Sequence, residues 1–209
     1  MPSITRRSLL ASAALAPFAR SFLASGSDSR FSGATISPRE RFRQLHFPNV
    51  TLTTHEGKAV RFYDDLLKDK VVTINFMYTS CTEVCPVTTA HLVKVQKLLG
   101  EQVGRDIFMY SLTIDPNHDT PAALKNYAEK FHVGPGWLFL TGKDDHLELL
   151  RRKLGFVDPN PEVDKDRANH IGTLEYGNEP LMLWGACPGL AHPEWIAKEI
   201  SWVTRPGTN

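Results

Sequence analysis

Apolar residues along this chain recur with two different periods, and the switches between them lay out its elements. The run Val71-Val72-Thr73-Ile74-Asn75-Phe76-Met77-Tyr78 is β-branched and aromatic, bounded by lysine and by Thr-Ser, and reads as a strand. Behind Cys85 the spacing changes. Val87, Ala90, Val95, Leu98 and Leu99 recur as on a helix until Gly100 stops the pattern. Ile107–Ile114 is a second strand, and its continuous hydrophobicity suits a central position. Thr120-Pro121 supplies an N-cap and a proline at the first helical position, opening a helix through Phe131. Trp137–Leu140 is a third strand, and Asp144–Leu154 a helix with Leu147, Leu150 and Leu154 inward. Two short strands near Gly172–Tyr176 and Pro180–Trp184 precede a last helix from Pro193 to Trp202. Upstream, Val50–Thr53 and Val60–Tyr63 flank His55-Glu56-Gly57-Lys58 as a hairpin.

Strands alternating with helices, then a hairpin and a helix, predict an α/β sandwich: a mixed β-sheet flanked by helices. Trp137, Trp184, Trp195 and Trp202 fall on strands or at helical spacing and read as core. The domain is expected over residues 46–205, with a linker at 26–45 whose Ser/Gly/Arg-rich beginning lacks periodicity. Residues 1–25 have another character. Thr5-Arg6-Arg7-Ser8-Leu9-Leu10 leads into an Ala-rich apolar stretch too short to span a bilayer. That form reads as an export signal resembling the twin-arginine type, or as an N-terminal anchor where it is not cleaved. Export places the domain in the periplasm or on the outer face of the inner membrane.

Composition narrows the function classes. Basic and acidic residues nearly balance, 24 against 23, and no basic stripe is interleaved with aromatics, so nucleic-acid binding has no support. Three cysteines is an odd count. In an oxidising compartment Cys81 and Cys85 can cycle between thiol and disulfide. Cys187, expected in a loop before the last helix, has no obvious partner and reads first as an inert or semi-buried thiol.

The chemistry concentrates in Thr79-Ser80-Cys81-Thr82-Glu83-Val84-Cys85-Pro86, where a strand gives way to a helix. Four residues apart on a forming helix, two sulfurs fall on one face, close enough to share a metal ion or to form one disulfide. A thiol near a helix N-terminus is expected to be acidified. A static disulfide there closes only a short loop and contributes little chain entropy. Asp115-Pro116 starts a turn, and its carboxyl either serves that turn or tunes the thiols. Asp119 reads as helping to cap the helix at Pro121. His118 could line the same mouth, whereas His91 is expected to point away from the thiols.

The segment Tyr78-Thr79-Ser80-Cys81-x-x-Val84-Cys85-Pro86, then Asp115-Pro116-x-x-Asp119-Thr120-Pro121, then a late His170, resembles the Sco/SenC family of copper-binding proteins over about residues 47–203. The resemblance implies a thioredoxin-like fold with an inserted hairpin. It implies copper, as Cu(I) or Cu(II), held by Cys81, Cys85 and His170, with Asp115 as an acidic group near the metal loop. It also implies a role in assembling the binuclear copper centre of cytochrome c oxidase, its copper-centre subunit or another copper or thiol protein being the partner. Two thiolates and one imidazole form a soft, low-coordination set that suits Cu(I). The chain departs from the family's usual pattern at Asn169-His170-Ile171, without an acid before the histidine or a hydroxyl after it, and at Thr82-Glu83, where Pro-Asp is frequent. Two rival readings use the same residues. One is a thiol:disulfide reductase in which Cys81 attacks and Cys85 resolves; the other is a copper or redox sensor.

Overall fold

The structure, a computed structural model, describes residues 36–165 and 172–205. A seven-stranded mixed sheet forms its centre, in the order β2-β1-β5-β4-β3-β6-β7. The strands are β1 (Thr51–Thr54), β2 (Ala59–Arg61), β3 (Val71–Met77), β4 (Ile107–Thr113), β5 (Trp137–Gly142), β6 (Thr173–Asn178) and β7 (Leu183–Pro188). The parallel core is β3-β4-β5, with β3 and β4 in register from Val71↔Ile107 to Met77↔Thr113. Hairpins β1-β2 and β6-β7 extend it antiparallel on either side. All seven residues of β3 are buried, as a strand covered on both faces requires.

Helices α2 (Val84–Leu99), α3 (Pro121–Lys130) and α6 (Pro193–Thr204) bury Leu92, Val95, Leu124, Ile196 and Ile200 against one face. The other face carries α1 (Pro38–His46), α4 (Asp144–Lys153) and a π-helical turn at Phe62–Leu67, with a short helix α5 (Pro161–Asp164) beyond them. Leu66, Leu67, Leu147, Leu150 and Leu154 fill that second core. Across the middle of the sheet runs a buried polar chain. The Trp137 indole donates to Ser111 Oγ at 2.9 Å, and Ser111 donates to Asn75 Oδ1 at 2.7 Å, so neither donor is stranded.

Most of the expected elements are present, α3 with Thr120 as its N-cap, accepting from the Ala123 N–H. Four expectations need correction. The helix after the thiols buries Thr88, Thr89 and Gln96 while leaving Val87 and Leu98 about half exposed. Two of those polar residues are satisfied inside: Thr89 with the Tyr127 hydroxyl, and Gln96 with Pro135 O and the Gly134 N–H. Trp195 and Trp202 stand on the exposed side of α6 and are not core. Strand β7 begins at Leu183, later than expected, because Pro180–Met182 form the hairpin turn. Cys187 therefore lies on a strand, paired with Leu174 and buried, rather than in a loop.

The fourth concerns the linker. Residues 38–46 form α1, opened by the Ser37 cap on the Glu40 N–H and by Pro38. Arg39 donates three times to Glu179, at 2.6, 2.8 and 3.3 Å, and the same buried carboxyl accepts from the Tyr63 hydroxyl and the Asp69 N–H. Phe47 continues the chain into the core. The rest of the expected linker and the export segment lie outside the described residues. Among the described residues no helix is long and apolar enough to cross a membrane.

Candidate metal and thiol site

Because β3 and β4 run parallel in register, the turn after Met77 and the turn after Thr113 leave the sheet at the same rim. The first carries Cys81 and then Cys85 in the opening turn of α2; the second carries Asp115, His118 and Asp119. Open α/β sheets place their sites at this carboxyl end.

Glu83 stands before α2 and offers no side-chain cap. The acceptor comes instead from Cys81, whose Sγ receives the Cys85 N–H at 3.4 Å. Burial raises the Cys81 thiol, but hydrogen bonds from the Cys85 N–H and thiol, the Glu83 N–H and the Tyr78 hydroxyl outweigh it and hold the thiol below the ordinary cysteine value. Cys85 moves the opposite way. Burial, then its hydrogen bond to Cys81 and the charges of Cys81 and Asp119, push it up to about 12 against a backbone hydrogen bond at Tyr78. Both cysteines are free thiols, Cys81 partly exposed and Cys85 buried. Cys81 is thus the more acidic thiol of the pair, and Cys85 the one that burial keeps protonated.

Asp119 holds this turn in place. Its carboxyl is fully buried and accepts from the Thr79 N–H at 3.1 Å, the Thr79 hydroxyl and the Thr113 hydroxyl. It pins the residue two before Cys81 to the end of β4. Thr120, the expected N-cap, accepts from the Ala123 N–H, and the Asp119 carboxyl serves the thiol turn instead of helping the cap. Asp115 joins the same network through its own N–H, which donates to Thr113 Oγ1 at 2.8 Å. Its Oδ2 lies 2.9 Å from Nδ1 of the exposed His118. The role of Asp119 was hidden in the sequence because a cap and a buried acceptor look alike there; the hydroxyls of Thr79 and Thr113 were the available signal.

Of the expected ligands, the structure brings Cys81 and Cys85 together. His170 lies outside the described residues, and among those no group of three His, Cys, Asp or Glu side chains could hold a metal. The chain two residues beyond His170 does reach the site. Gly172 rests on the first turns of α2, where a Cβ would come 3.2 Å from Val84 Cγ1. Between them is a cavity of about 10 Å³, lined by Cys85, Thr88 and Gly172 among others, with room for one water-sized group. The buried Thr88 Oγ1 has no hydrogen-bond partner among the described residues. A soft thiol pair, an adjacent one-atom cavity and a chain segment arriving beside it fit a small soft ion. His91 Nδ1 is also buried without a partner among the described residues, further along α2. Cys187, its thiol pushed up to about 11 by burial and then by Glu199, packs in the core.

Known proteins place this arrangement. The chain is 32% identical over 110 residues to a SCO2-like protein of Rickettsia conorii, covering 53% of this chain and 52% of that one. It spans about half the length of such curated relatives. A SCO1/SenC family lipoprotein from Bacillus anthracis superposes with a TM-score of 0.62 at 25% identity, over 76% of this chain and 94% of the other. The copper-bound structure of Bradyrhizobium japonicum ScoI gives 0.59 at 25% identity, over 73% and 96%. The SCO1/SenC family model matches residues 39–174, from α1 into β6. That span takes in both thiols, the Asp-Pro turn and His170, and on it this chain belongs to the SCO1/SenC family.

Proposed function

We propose that this chain is an exported metallochaperone that carries one copper ion on Cys81, Cys85 and His170 and hands it to a copper-centre subunit during cytochrome c oxidase assembly. The observation that carries the reading is the dithiol: two free cysteines at the opening of α2, one accessible and one buried. Thiolates and imidazole are soft donors suited to Cu(I), and copper is cargo here, so the donors must release it as well as hold it. Cys81 is the sulfur an incoming ligand meets first, and Cys85 retains the ion from below. The copper in the Bradyrhizobium relative supports the choice of metal. The N-terminal segment supports export to the periplasm or the outer face of the inner membrane, with attachment where the segment is retained.

The opposite displacement of the two thiols favours one second reading, a thiol:disulfide reductase. The Cys81 thiolate would attack a partner disulfide and expel one partner thiolate. Cys85, losing its proton, would then attack Cys81, leaving a Cys81–Cys85 disulfide and a reduced partner. Both readings meet one experiment: cells lacking this chain, with the copper-centre absorbance of their isolated oxidase as readout. Wild type should restore it, and Cys81→Ala and Cys85→Ala should not. Rescue of the lesion by added copper supports delivery. Rescue by a membrane-impermeant reductant, without effect of copper, would replace delivery with the reductase.

A further inference from the structure

On the sheet face opposite the thiols, a cleft of about 300 Å³ opens between α1, the last turn of α4 and β7. Its walls include Phe42, Phe47, Leu154 and Trp184. The Phe47 and Trp184 rings lie 4.7 Å apart at 40°, and Trp184 lies directly over β6 because Gly177 has no side chain; a Cβ there would come within 2.3 Å of the indole. Glu175, in the middle of β6, lines this cleft. Among the described residues it has no hydrogen bond or ion pair, although His46 and Lys153 line the same cleft. The carboxyl is partly exposed at the mouth of the cleft, so any ligand seated on the rings strips it of water and must bring a partner of its own.

The lining selects the ligand's chemistry. An anion is repelled by the carboxylate, and a neutral apolar molecule leaves it unpaired. A hard metal ion wants several oxygens, and the cleft offers the one carboxyl. An organic cation meets both features: its charge pairs with the carboxylate, and its body lies on the electron-rich ring faces. We propose that this cleft binds an organic cation, a guanidinium or alkylammonium group that pairs with Glu175 and lies against Trp184 and Phe47. Burial holds the empty carboxyl up at about 8, so binding releases a proton and tightens as pH rises towards that value. The other titratable groups facing it are His46 from α1 and Lys153 from α4, and each opposes the ligand when charged.

The test follows the Trp184 indole N–H resonance of the whole chain on titration with ethylguanidinium and, separately, with the tripeptide Gly-Arg-Gly. A saturable displacement by either is expected, about tenfold weaker in Glu175→Gln and stronger in Lys153→Met. Tighter binding of the tripeptide identifies a basic segment of a partner protein as the source; equal binding identifies a small free cation. Glu175→Gln keeps the side chain's shape and removes an uncompensated acid, so its fold is expected to persist, and its melting curve checks this. No saturable displacement by either probe, or equal binding by wild type and Glu175→Gln, overturns the proposal.

Discussion

Asp119→Asn is the perturbation that bears most directly on the geometry of the thiol turn. The fully buried carboxyl accepts from the Thr79 N–H, the Thr79 hydroxyl and the Thr113 hydroxyl. A carboxamide keeps one acceptor oxygen and turns an NH2 group towards donors it cannot satisfy. Hydrogen bonds to charged groups contribute about 1.5–3 kcal/mol each, and members of one network do not add in full. A loss of about 3 kcal/mol is therefore expected in Asp119→Asn, and about 3–5 kcal/mol in Asp119→Ala, where every donor is stranded. Urea unfolding of the reduced protein measures both. The pH midpoint of Cys81 alkylation separates position from charge. Removing the Asp119 charge by itself would acidify both thiols, because that charge disfavours thiolates nearby. Loosening the turn takes the Cys85 N–H away from Cys81 Sγ and has the opposite effect. The midpoint should rise in Asp119→Asn. Unchanged stability together with a lower midpoint would refute the positioning role.

Three further substitutions probe the rest of the domain. Folded Glu175 holds its proton up to about pH 8, while the unfolded chain releases it near the ordinary carboxyl value of 4.5. The folded state thus binds more protons across that window and its stability falls as pH rises from about 4.5 to 8; Glu175→Gln should remove that decline, about 2 kcal/mol in urea titrations once solvent screening of the partly exposed carboxyl is discounted. A pH-independent difference between the two proteins would contradict this. Glu179→Gln should cost about 2 kcal/mol and speed protease cleavage near α1, since the buried carboxyl ties Arg39, Tyr63 and the Asp69 N–H together; unaltered cleavage would show that α1 is held otherwise. Cys187→Ala should cost about 1 kcal/mol and leave copper stoichiometry unchanged, because the thiol is enclosed by the core; a changed stoichiometry would make Cys187 part of the metal site.

Most strands and helices were legible from the sequence because their apolar period or their caps are unambiguous: β3 as an unbroken β-branched run, α3 from Thr120-Pro121. The thiol turn was legible for the same reason, lying where one period gives way to the other. The inward face of α2 was not. Thr88, Thr89 and Gln96 are buried there, the last two on long-range partners, and a local pattern cannot see Tyr127 or Pro135. The docking of α1 was hidden likewise, since Glu179 lies 140 residues from Arg39. The setting of Glu175 was not legible either, because the residues that line its cleft arrive from α1, the end of α4 and β7.

An anaerobic Cu(I) titration of the reduced chain tests the central claim most directly, run alongside Cys81→Ala, Cys85→Ala and His170→Ala, with a Cu(II) titration of each afterwards. The reduced wild type should take up about one copper per chain and the Cys81–Cys85 disulfide form none, because both sulfurs must be thiolates to bind. Each cysteine variant should lose retention. His170→Ala should weaken Cu(I) moderately and Cu(II) severely, since Cu(II) is harder and favours nitrogen. Copper bound as well by the disulfide form, or by the cysteine variants, would place the site elsewhere, and no uptake by the confirmed dithiol would contradict a copper function for this chain.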